Sequence, residues 1–325
     1  MPVTVGIIGL GQIAQGYDAP SSDSVTTHIK ACLRDPRLEL RWIADRDTAL
    51  ARVVRERWNL NAEILSPDDL ARQGPDVLCI ATPDATHGDF IGRALETPPK
   101  LILCEKPLAA TTADALALIK ACEQGGTTLV VNFIRRWLPH VAEWIAAARR
   151  GEYGAPAAAT ALYGRGLVHN ACHNFDLIGA ALGAVGVEAE CIGVAIPDYA
   201  ENDPTVSAHM SVRAGGRRVP ILLTGTDGRL ANQWAVDIMF EKSRLRVWNH
   251  DGIRVETFAL AEGPSAYAPE LRPTIHAHDK PARYMERVWA NIADHLTESA
   301  PLRATARDIE DGLVLLDAAI AARQA

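Results

Sequence analysis

Val3-Thr4-Val5-Gly6-Ile7-Ile8-Gly9-Leu10-Gly11-Gln12-Ile13-Ala14 is the stretch of this sequence that decides the fold. Its first half is an apolar run typical of a β-strand, and its second half matches the pattern G-x-G-x-x-[GA]. In that pattern the first glycine permits a tight turn, the second lets the backbone approach a pyrophosphate, and the small third residue lets a helix pack on the strand. A glycine-rich turn without a ligand is the alternative, but the place directly after an apolar strand favours a dinucleotide site.

Strand-like and helix-like segments alternate from this stretch to about Asn132. Helical patterns lie between several strand-like runs, and Thr111 with Asp114 three residues later forms a capping-box pattern. Continuous apolar strands that alternate with helices predict a parallel sheet covered on both faces. We therefore predict a Rossmann dinucleotide-binding domain over residues 1–133. Its predicted strands are Val3–Ile8, Leu38–Ala44, Ala62–Leu65, Val77–Ala81, Leu101–Cys104 and Thr128–Asn132.

The pattern changes in the second part of the chain, where strand-like runs follow one another with few helices between them. This predicts an α+β domain over residues 134–325 with a mainly antiparallel open sheet. Two amphipathic helices near the end of the chain belong to it. One begins near Pro281 and has Met285, Val288, Ile292 and Leu296 on one face, and the other has Ile309, Leu313, Leu316 and Ile320 on one face. Residues 263–281 contain four prolines and no periodicity, which predicts a surface loop. The strand-like runs are 156–163, 189–196, 205–213, 219–225, 233–240 and 244–249.

Charge and composition argue against a nucleic-acid-binding protein and against a membrane-spanning one. The net charge of −7 gives no reason to expect a nucleic-acid partner, and no apolar run approaches the ~20 residues that span a bilayer. Residues 1–5 enter a strand at once, so we expect no signal peptide. The six cysteines form no C-x-x-C pair, and we expect them to be reduced in a cytoplasmic protein.

The end of the second predicted strand bears on the choice of cofactor. Asp45 can accept hydrogen bonds from ribose hydroxyls and repels a 2′-phosphate, which favours NAD. Arg46 favours NADP, because a guanidinium beside the ribose can hold that phosphate. We expect NAD, with NADP as the alternative. The spacing from Gly9 to Asp45 is longer than usual for this pattern, and we predict that the surplus, Gly16–Thr26, is a loop near the nucleotide.

The tripeptide Glu105-Lys106-Pro107 directly follows the fifth predicted strand. In an open parallel sheet, ligands bind outside the carboxyl ends of the strands. Lys106 is therefore expected where a nicotinamide ring and a substrate hydroxyl meet. We also predict a cis peptide bond between Lys106 and Pro107.

These motifs together resemble the glucose-fructose oxidoreductase / inositol dehydrogenase / MocA family of nicotinamide-dependent sugar oxidoreductases. The resemblance covers nearly the whole chain and implies a Rossmann domain followed by an α/β domain whose open sheet forms a pocket wall on one face and often an oligomer interface on the other. It rests on Val5–Gly11, Ala81-Thr82-Pro83 with His87, Glu105-Lys106-Pro107, Asn132 with Arg135-Arg136, and His173-Asn174-Phe175-Asp176.

The resemblance also implies roles for single residues. Lys106 would hydrogen-bond the reacting hydroxyl and stabilise its developing negative charge, and His173 would be the acid/base. The residues expected to bind the substrate are Arg136, Tyr163, His169, Asn170 and His173. The residues expected to bind the cofactor are Gly9, Gly11, Gln12, Ile13, Asp45, Arg46, Ala81, Thr82, Pro83, His87, Glu105, Lys106 and Asn132.

One position departs from the family pattern. Many members have an aspartate four residues before the catalytic histidine, and here that residue is His169. An imidazole supplies no fixed negative charge, so His173 is expected to be less basic than in those members. A metal shared by His169 and His173 lacks a third ligand at zinc spacing, and we expect none. Arg135 and Arg136 have two open interpretations, a substrate-anion site or surface charges with packed stems.

The sequence therefore predicts an NAD(P)-dependent oxidoreductase that acts on a secondary hydroxyl or ketone of a sugar or cyclitol derivative. An internal-redox enzyme that cleaves or epimerises glycosides, and a nucleotide-sensing regulator on the same fold, are the alternatives. We expect a homodimer or homotetramer, because a sheet face carrying Ile221, Leu223, Ile238 and Phe240 is predicted to be exposed and to need covering.

Overall fold

The computed structural model describes residues 1–72, 74–231, 233–261 and 270–324. Its strands are β1 Val3–Ile8, β2 Leu38–Ala44, β3 Glu63–Leu65, β4 Val77–Ile80, β5 Leu101–Cys104, β6 Thr128–Val131, β7 Pro156–Tyr163, β8 Val185–Ala200, β9 Asp203–Ala214, β10 Arg217–Gly225, β11 Ala235–Phe240, β12 Ser243–Asn249, β13 Ile253–Ala261 and β14 Glu270–Asp279. Its α-helices are α1 His28–Arg34, α2 Thr48–Arg57, α3 His87–Ala94, α4 Thr112–Gln124, α5 Pro139–Arg149, α6 Cys172–Leu182, α7 Tyr284–Glu298 and α8 Glu310–Gln324. Short π- or 3₁₀-helical turns lie at Gln12–Gly16, Pro67–Arg72, Asp84–Thr86, Ile134–Trp137, Leu167–Ala171 and Ala306–Ile309.

The chain divides into two compact units, each made of two segments. Unit 1 comprises Met1–Trp137 and Pro281–Arg307, and unit 2 comprises Leu138–Lys280 and Asp308–Ala325. The first break lies close to the predicted boundary after residue 133. The segment Pro281–Arg307, which the sequence placed in the second domain, belongs to unit 1.

Unit 1 contains a six-stranded parallel sheet in the order β3-β2-β1-β4-β5-β6. This order confirms the predicted doubly wound fold, and it reverses direction between β1 and β4, which is where such sheets bind their ligands. The four residues of β4 and the four of β5 are all buried, as expected for strands covered on both faces. The predicted strands differ from the observed ones by at most a residue at their ends.

Helix α7 completes the core of unit 1. Its apolar face, predicted from residues at helical spacing, includes Met285, Val288 and Ile292, which join the buried cluster formed by β1 and α1. Trp289 is also fully buried in this cluster. Periodicity identified the face that α7 buries but gave no information about which unit it packs in.

Unit 2 contains an eight-stranded sheet in the order β14-β13-β12-β11-β7-β10-β9-β8. Its strand pairs are antiparallel except for β10 with β7, so the predicted mainly antiparallel sheet is confirmed. Six of its strands correspond to the predicted runs.

The predicted loop over residues 263–281 is wrong where it overlaps β14, which pairs with β13 from Glu270 to Asp279. Residues 263–269 lie outside the described residues. Strand β14 is at the edge of the sheet, and its half-buried residues Leu271, Ile275 and Ala277 alternate with exposed polar ones. Pro273 interrupts this alternation, so the prolines of the segment favoured a loop over a strand. Its Pro273 lies beside a register shift, a place where an edge strand tolerates proline.

The four apolar residues predicted to be exposed on the second sheet are buried within unit 2. Ile221, Leu223, Ile238 and Phe240 are at most 5% exposed. The strand alternation was predicted correctly, but these side chains face the interior of the unit. Their neighbour Leu222, at 39% exposed, is on the other face. The argument for a covering partner from those four residues is therefore wrong.

Candidate functional site

The glycine-rich turn lies at the carboxyl end of β1. Gly9 has φ +86°, and a Cβ built there would lie 2.6 Å from backbone atoms of Ala81 and Thr82. Gly9 is therefore required by the close approach of this turn to the end of β4. Gly11 differs, because its φ of −72° suits any residue and a Cβ there would meet no described atom within 4 Å. No described part of the chain therefore requires glycine at position 11. The space beside Gly11 is open to a ligand.

The predicted loop insertion follows this turn and is held by two buried charged residues. The Asp18 carboxylate accepts hydrogen bonds from the backbone and hydroxyl groups of Thr26 and Thr27, over 2.7–2.9 Å. The Lys30 ammonium donates to the Ala19 carbonyl and to Ser22. Burial lowers the pKa of Lys30. The insertion is thus a loop with a defined internal structure, joining the glycine turn to α1.

Asp45 lies at the end of β2, beside the glycine turn. Its Oδ2 accepts from Leu10 N at 2.8 Å and its Oδ1 accepts from Asp47 N at 2.9 Å. The carboxylate is half-buried, whereas Arg46 is exposed. The N-cap of α2 is Asp47, which accepts from Ala49 N and Leu50 N. Asp45 is therefore anchored to the turn and does not cap the helix.

His87 connects the loops after β4 and β5. Its Nδ1 lies 2.9 Å from the Pro107 carbonyl oxygen, and its Nε2 lies 3.0 Å from the Thr82 carbonyl oxygen. Its ring is buried, while the neighbouring Pro83 is exposed. In this position His87 shapes the site by joining the two loops, and its ring nitrogens are directed at the protein backbone.

Lys106 is half-buried at the carboxyl end of β5, and the Lys106–Pro107 peptide bond is cis, as predicted. The parallel strands place Lys106 at the same edge of the sheet as the glycine turn. The edge thus combines an open nucleotide-type turn with an amine.

The neighbouring Glu105 is only 7% exposed and is the centre of a hydrogen-bond network in unit 1. Its Oε1 accepts from Asn132 Nδ2 at 2.6 Å and lies 2.9 Å from His28 Nε2, and its Oε2 accepts from Lys106 N at 3.3 Å. Burial, the largest influence, would raise the pKa of Glu105. The hydrogen bonds from His28 and Asn132 and the positive charge of Lys106 oppose it, and the pKa lies below its ordinary value.

The network continues from His28 to α7. Trp289 Nε1 donates to His28 Nδ1 at 3.1 Å, and both residues are fully buried. An indole N–H only donates, so Nδ1 must be the unprotonated nitrogen and Nε2 carries the proton that points at Glu105. Sequence reasoning missed His28 and Trp289, because 261 residues separate them and neither belongs to a recognised motif.

His173, the predicted acid/base, lies in the first turn of α6 in unit 2 and is 8% exposed. The π-helical turn Leu167–Ala171 leads directly into this helix. Asn174 is fully buried and donates to the Ala235 carbonyl at 2.8 Å, which fixes the start of α6 against β11. His173 therefore lies at a helix start whose position is fixed.

The segment before α6 is held by the hairpin of β8 and β9. Asp203 accepts from Val168 N at 2.8 Å and from His169 N at 2.9 Å. Burial, the main influence, raises the pKa of Asp203, although backbone donors oppose it. Gly166 has φ +89°, and a Cβ there would overlap the Asp203 carboxylate. The segment Gly164–Ala171, which we call the recognition loop, is thus closely fitted to Asp203.

A second aspartate secures the other end of the recognition loop. Asp198 Oδ2 accepts from Arg165 N at 2.7 Å, and Asp198 Oδ1 accepts from Thr205 Oγ1 at 2.8 Å. Thr205 Oγ1 in turn accepts from Gly166 N at 2.9 Å. Backbone and hydroxyl hydrogen bonds lower the pKa of Asp198 against the opposing effect of burial, the largest influence.

Two predicted substrate residues lie on this loop and are half-buried. The His169 ring stacks on Tyr199 with centroids 4.1 Å apart, and Asn170 Nδ2 donates to the Gly164 carbonyl at 2.7 Å. The stacked imidazole lies four residues before His173 in the chain.

Tyr163, also predicted to contact substrate, is fully buried. Its hydroxyl donates to the Val206 carbonyl at 2.8 Å and accepts from Val206 N at 2.9 Å. Burial raises its pKa. The Tyr163 hydroxyl already donates one hydrogen bond and accepts another within the sheet. These surroundings do not support a contact between Tyr163 and a substrate.

Arg135 and Arg136 lie in the turn Ile134–Trp137 of unit 1 and are at most 7% exposed. Their interpretation as surface charges is therefore wrong. Within the described residues, no group of three or more His, Cys, Asp or Glu side chains is arranged to hold a metal ion, and no helix is long and apolar enough to cross a membrane. All six cysteines are free.

Comparison with known proteins identifies the class of the glycine-turn domain. Residues 3–133 match the model of the glucose-fructose oxidoreductase / inositol dehydrogenase / MocA family, described as an oxidoreductase family with an NAD-binding Rossmann fold. An uncharacterized oxidoreductase of Bacillus subtilis, YrbE, is 26% identical over 292 residues, which are 84% of this chain and 75% of that protein. Inositol 2-dehydrogenase of Rubrobacter xylanophilus is 35% identical over 158 residues, which are 47% of this chain and 42% of that protein.

Solved structures share the fold over the whole chain. The super-repressor mutant of Gal80p from Saccharomyces cerevisiae has a TM-score of 0.74 at 15% identity, with 100% of this chain and 97% of that chain covered. At that identity the likeness concerns the fold and carries no information about activity.

Proposed function

We propose that this chain, whose residues 3–133 match the model of the glucose-fructose oxidoreductase / inositol dehydrogenase / MocA family, transfers a hydride between a nicotinamide cofactor and a secondary hydroxyl or ketone of a sugar or cyclitol derivative. The observation that carries this proposal is the shared edge of the unit 1 sheet, where Lys106 ends β5 and the open Gly11 turn follows β1. A nucleotide-binding edge alone would not need an amine at this position. The relative from Rubrobacter xylanophilus, an inositol 2-dehydrogenase, supports the substrate class.

The residues of the glycine-turn edge fit a dinucleotide. Gly11 leaves space for a pyrophosphate, and the turn that begins at Gln12 offers backbone N–H groups to it. The anchored Asp45 would accept from the ribose hydroxyls and repel a 2′-phosphate, so we propose NAD as the cofactor, with NADP as the alternative allowed by Arg46. Bound NAD⁺ would supply the hydride acceptor. Ile13, Ala81, Thr82 and Pro83 complete the proposed cofactor contacts.

The protein's own contribution to the reaction is the handling of a proton and a charge. The Lys106 ammonium would donate a hydrogen bond to the substrate oxygen and stabilise the negative charge that develops there. His173 would take the hydroxyl proton as general base, and return it when a ketone is reduced. His169 and Asn170 on the recognition loop, and Arg136 in unit 1, are the proposed substrate contacts. Since His169 replaces a carboxylate, His173 would work without a fixed anionic partner at that position.

The proposed reaction is tested with purified protein and a panel of polyols, pentoses, hexoses, sugar acids and nucleotide sugars, with NAD⁺ and NADP⁺ in separate series. The proposal expects reduced nicotinamide to appear with at least one cyclitol or sugar and to form faster with NAD⁺. Protein that binds nucleotide but never reduces it would contradict the proposal. That outcome would favour an internal-redox enzyme, or a regulator on the fold that Gal80p shares.

We also propose a cytoplasmic homodimer or homotetramer. The six free cysteines support the compartment, since disulfides are rare in the cytosol. The family resemblance supports this assembly. The four apolar residues of the second sheet do not support it, because they are buried within unit 2. Sedimentation equilibrium measures the assembly directly, and a monomer at micromolar concentration would refute it.

A further inference from the structure

We propose that His28 and Trp289 are positioning residues for the reaction, because they hold the Glu105 carboxylate in one orientation and Glu105 fixes the backbone from which Lys106 extends. This inference rests on the proposed function, which assigns Lys106 to the substrate hydroxyl. Neither residue touches the reacting atoms in this account. They act through Glu105.

The first support is the direction of the hydrogen bonds. Trp289 can only donate, so the 3.1 Å contact makes His28 Nδ1 the acceptor and leaves the His28 proton on Nε2. From Nε2, 2.9 Å from Glu105 Oε1, that proton can only be donated to the carboxylate. The indole on α7 thus sets the tautomer of a histidine on α1. In that tautomer His28 donates to Glu105.

The second support is the pair of further hydrogen bonds that the Glu105 carboxylate accepts. Asn132, which directly follows β6, donates to Oε1 at 2.6 Å, and the Lys106 backbone N–H donates to Oε2 at 3.3 Å. One carboxylate thereby joins the carboxyl ends of β5 and β6. Strand β5 fixes the chain just before Lys106, and the Glu105 carboxylate accepts from the Lys106 backbone N–H. Together they fix the position of the backbone that carries the lysine side chain.

The third support is that the network is buried and its charges are few. His28 and Trp289 are fully buried, and Asn132 is 1% exposed. The titratable groups that face Glu105 are His28 from α1, Lys106 from its own segment, and the buried thiols of Cys79 on β4 and Cys104 on β5. Burial raises the pKa of both thiols, so Glu105 is the anion of this region. A buried carboxylate with three donors keeps its geometry because loss of any one donor is costly.

The tautomer is measured first, in the intact wild-type protein, which avoids any effect of substitution. Protein labelled with ¹⁵N-histidine is examined by long-range ¹H–¹⁵N correlation, and the His28 signals are assigned with His28→Gln. We expect the chemical shifts of a ring protonated on Nε2, with an unprotonated Nδ1. A ring protonated on Nδ1 would overturn the proposal, whether or not any substrate has been found.

The kinetic test uses the panel substrate that gives turnover with NAD⁺ and compares Trp289→Phe with Trp144→Phe. Both substitutions remove a buried indole N–H, but Trp144 donates to Ser243 at 2.8 Å in unit 2, away from this network. A misplaced catalytic group costs up to about 10²-fold, so we expect Trp289→Phe to lower kcat by about tenfold or more. The KM for NAD⁺ should change by less than about threefold, because Gly11 and Asp45 are untouched. Equal effects of the two substitutions on kcat would overturn the proposal.

A conservative substitution separates positioning from packing. His28→Gln keeps an N–H donor for Glu105, whereas His28→Leu fills a similar volume without one. We expect His28→Gln to retain most of the wild-type kcat, and we expect the kcat of His28→Leu to be about tenfold lower than that of His28→Gln. The pH profile of kcat/KM should shift for Leu and remain close to wild type for Gln. If both variants have the same kcat and the same profile, His28 only fills space and the proposal is wrong. Absence of turnover in wild-type protein would instead refute the proposed function, while the ¹⁵N measurement would still decide the tautomer.

Discussion

His28 donates to Glu105 across 2.9 Å, although 77 residues separate the two in the chain. The contact joins α1, which follows the loop insertion, to the end of β5, where Lys106 begins. The carboxyl edge of the sheet is therefore organised by residues outside its own motifs. The same contact has a consequence for stability, since Glu105 is buried and charged.

Glu105→Gln should lower stability in a manner that depends on pH. At pH 7 we expect a loss of about 1–3 kcal/mol, because the amide oxygen can still accept from His28 and Asn132 but is no longer ionised, and the amide NH2 group would face the Lys106 N–H without accepting from it. The folded pKa of Glu105 lies below its unfolded value of about 4.3. The stabilisation by the carboxylate is thus fully present above that value and is lost as pH falls through the folded pKa.

This prediction is checked by urea unfolding of wild type and variant between pH 7 and pH 3.5. The difference in unfolding free energy should be constant down to about pH 5 and should shrink below about pH 4. Glu96→Gln, at an exposed glutamate after α3, is the control and should leave the difference near zero throughout. A Glu105→Gln difference that stays constant down to pH 3.5 would contradict the assignment of a buried anion.

Gly11→Ala should weaken nucleotide binding without unfolding the protein. The backbone at Gly11 suits alanine and no described atom lies near the new methyl group, so stability should change by less than about 0.5 kcal/mol. The methyl group would occupy the space proposed for a pyrophosphate, and the Kd for NAD⁺ should rise about tenfold or more.

Calorimetric titration with NAD⁺ and thermal unfolding together measure both effects. Gly92→Ala is the matched control, since Gly92 lies in α3 and also has no described atom within 4 Å of a Cβ. It should gain about 0.5–1 kcal/mol from helix propensity and bind NAD⁺ as wild type does. An unchanged Kd for Gly11→Ala would show that the pyrophosphate does not approach this turn.

Gly166→Ala should impair substrate recognition while leaving nucleotide binding intact. The new methyl group would overlap the Asp203 carboxylate, which holds the backbone of Val168 and His169. The recognition loop must then move, and we expect the substrate KM to rise about tenfold with the Kd for NAD⁺ unchanged.

Gly193→Ala controls for backbone strain in this experiment. Gly193 also has a positive φ, +75°, but a Cβ there would meet no described atom within 4 Å. Both variants place alanine at a positive φ, which costs about 1–3 kcal/mol of backbone strain. If steady-state kinetics give the two variants the same KM, the fit between Gly166 and Asp203 has no bearing on recognition.

The sequence predicted those parts of unit 1 that depend on local pattern. The glycine turn, the apolar strands and Glu105-Lys106-Pro107 are contiguous motifs, and their place at the carboxyl edge follows from a parallel sheet. Asp45 was identified as well, but its bond to Leu10 N depends on how β2 lies beside β1. Such a contact is decided by register and is absent from a one-dimensional pattern.

The parts that could not be predicted depend on long-range packing. The apolar face of α7 was evident, yet its partners in unit 1 could be known only from the folded chain, and with them the role of Trp289. Tyr163 was predicted to contact substrate from the family resemblance, but its hydroxyl is buried and hydrogen-bonded to the backbone of Val206 in β9. For β14, Pro273 interrupted the alternation of apolar and polar residues on which strand prediction depends.

The central claim is that Lys106 acts on the substrate in an NAD-dependent oxidation. The measurement that tests it most directly is the absorbance of reduced nicotinamide, recorded for wild type, Lys106→Met and Lys120→Met with the same substrate and NAD⁺. Lys120 is an exposed lysine on α4, so its substitution should leave the rate unchanged. We predict that Lys106→Met lowers kcat/KM by about 10²–10⁴-fold while NAD⁺ still binds. A Lys106→Met protein as active as the Lys120→Met control would contradict the account.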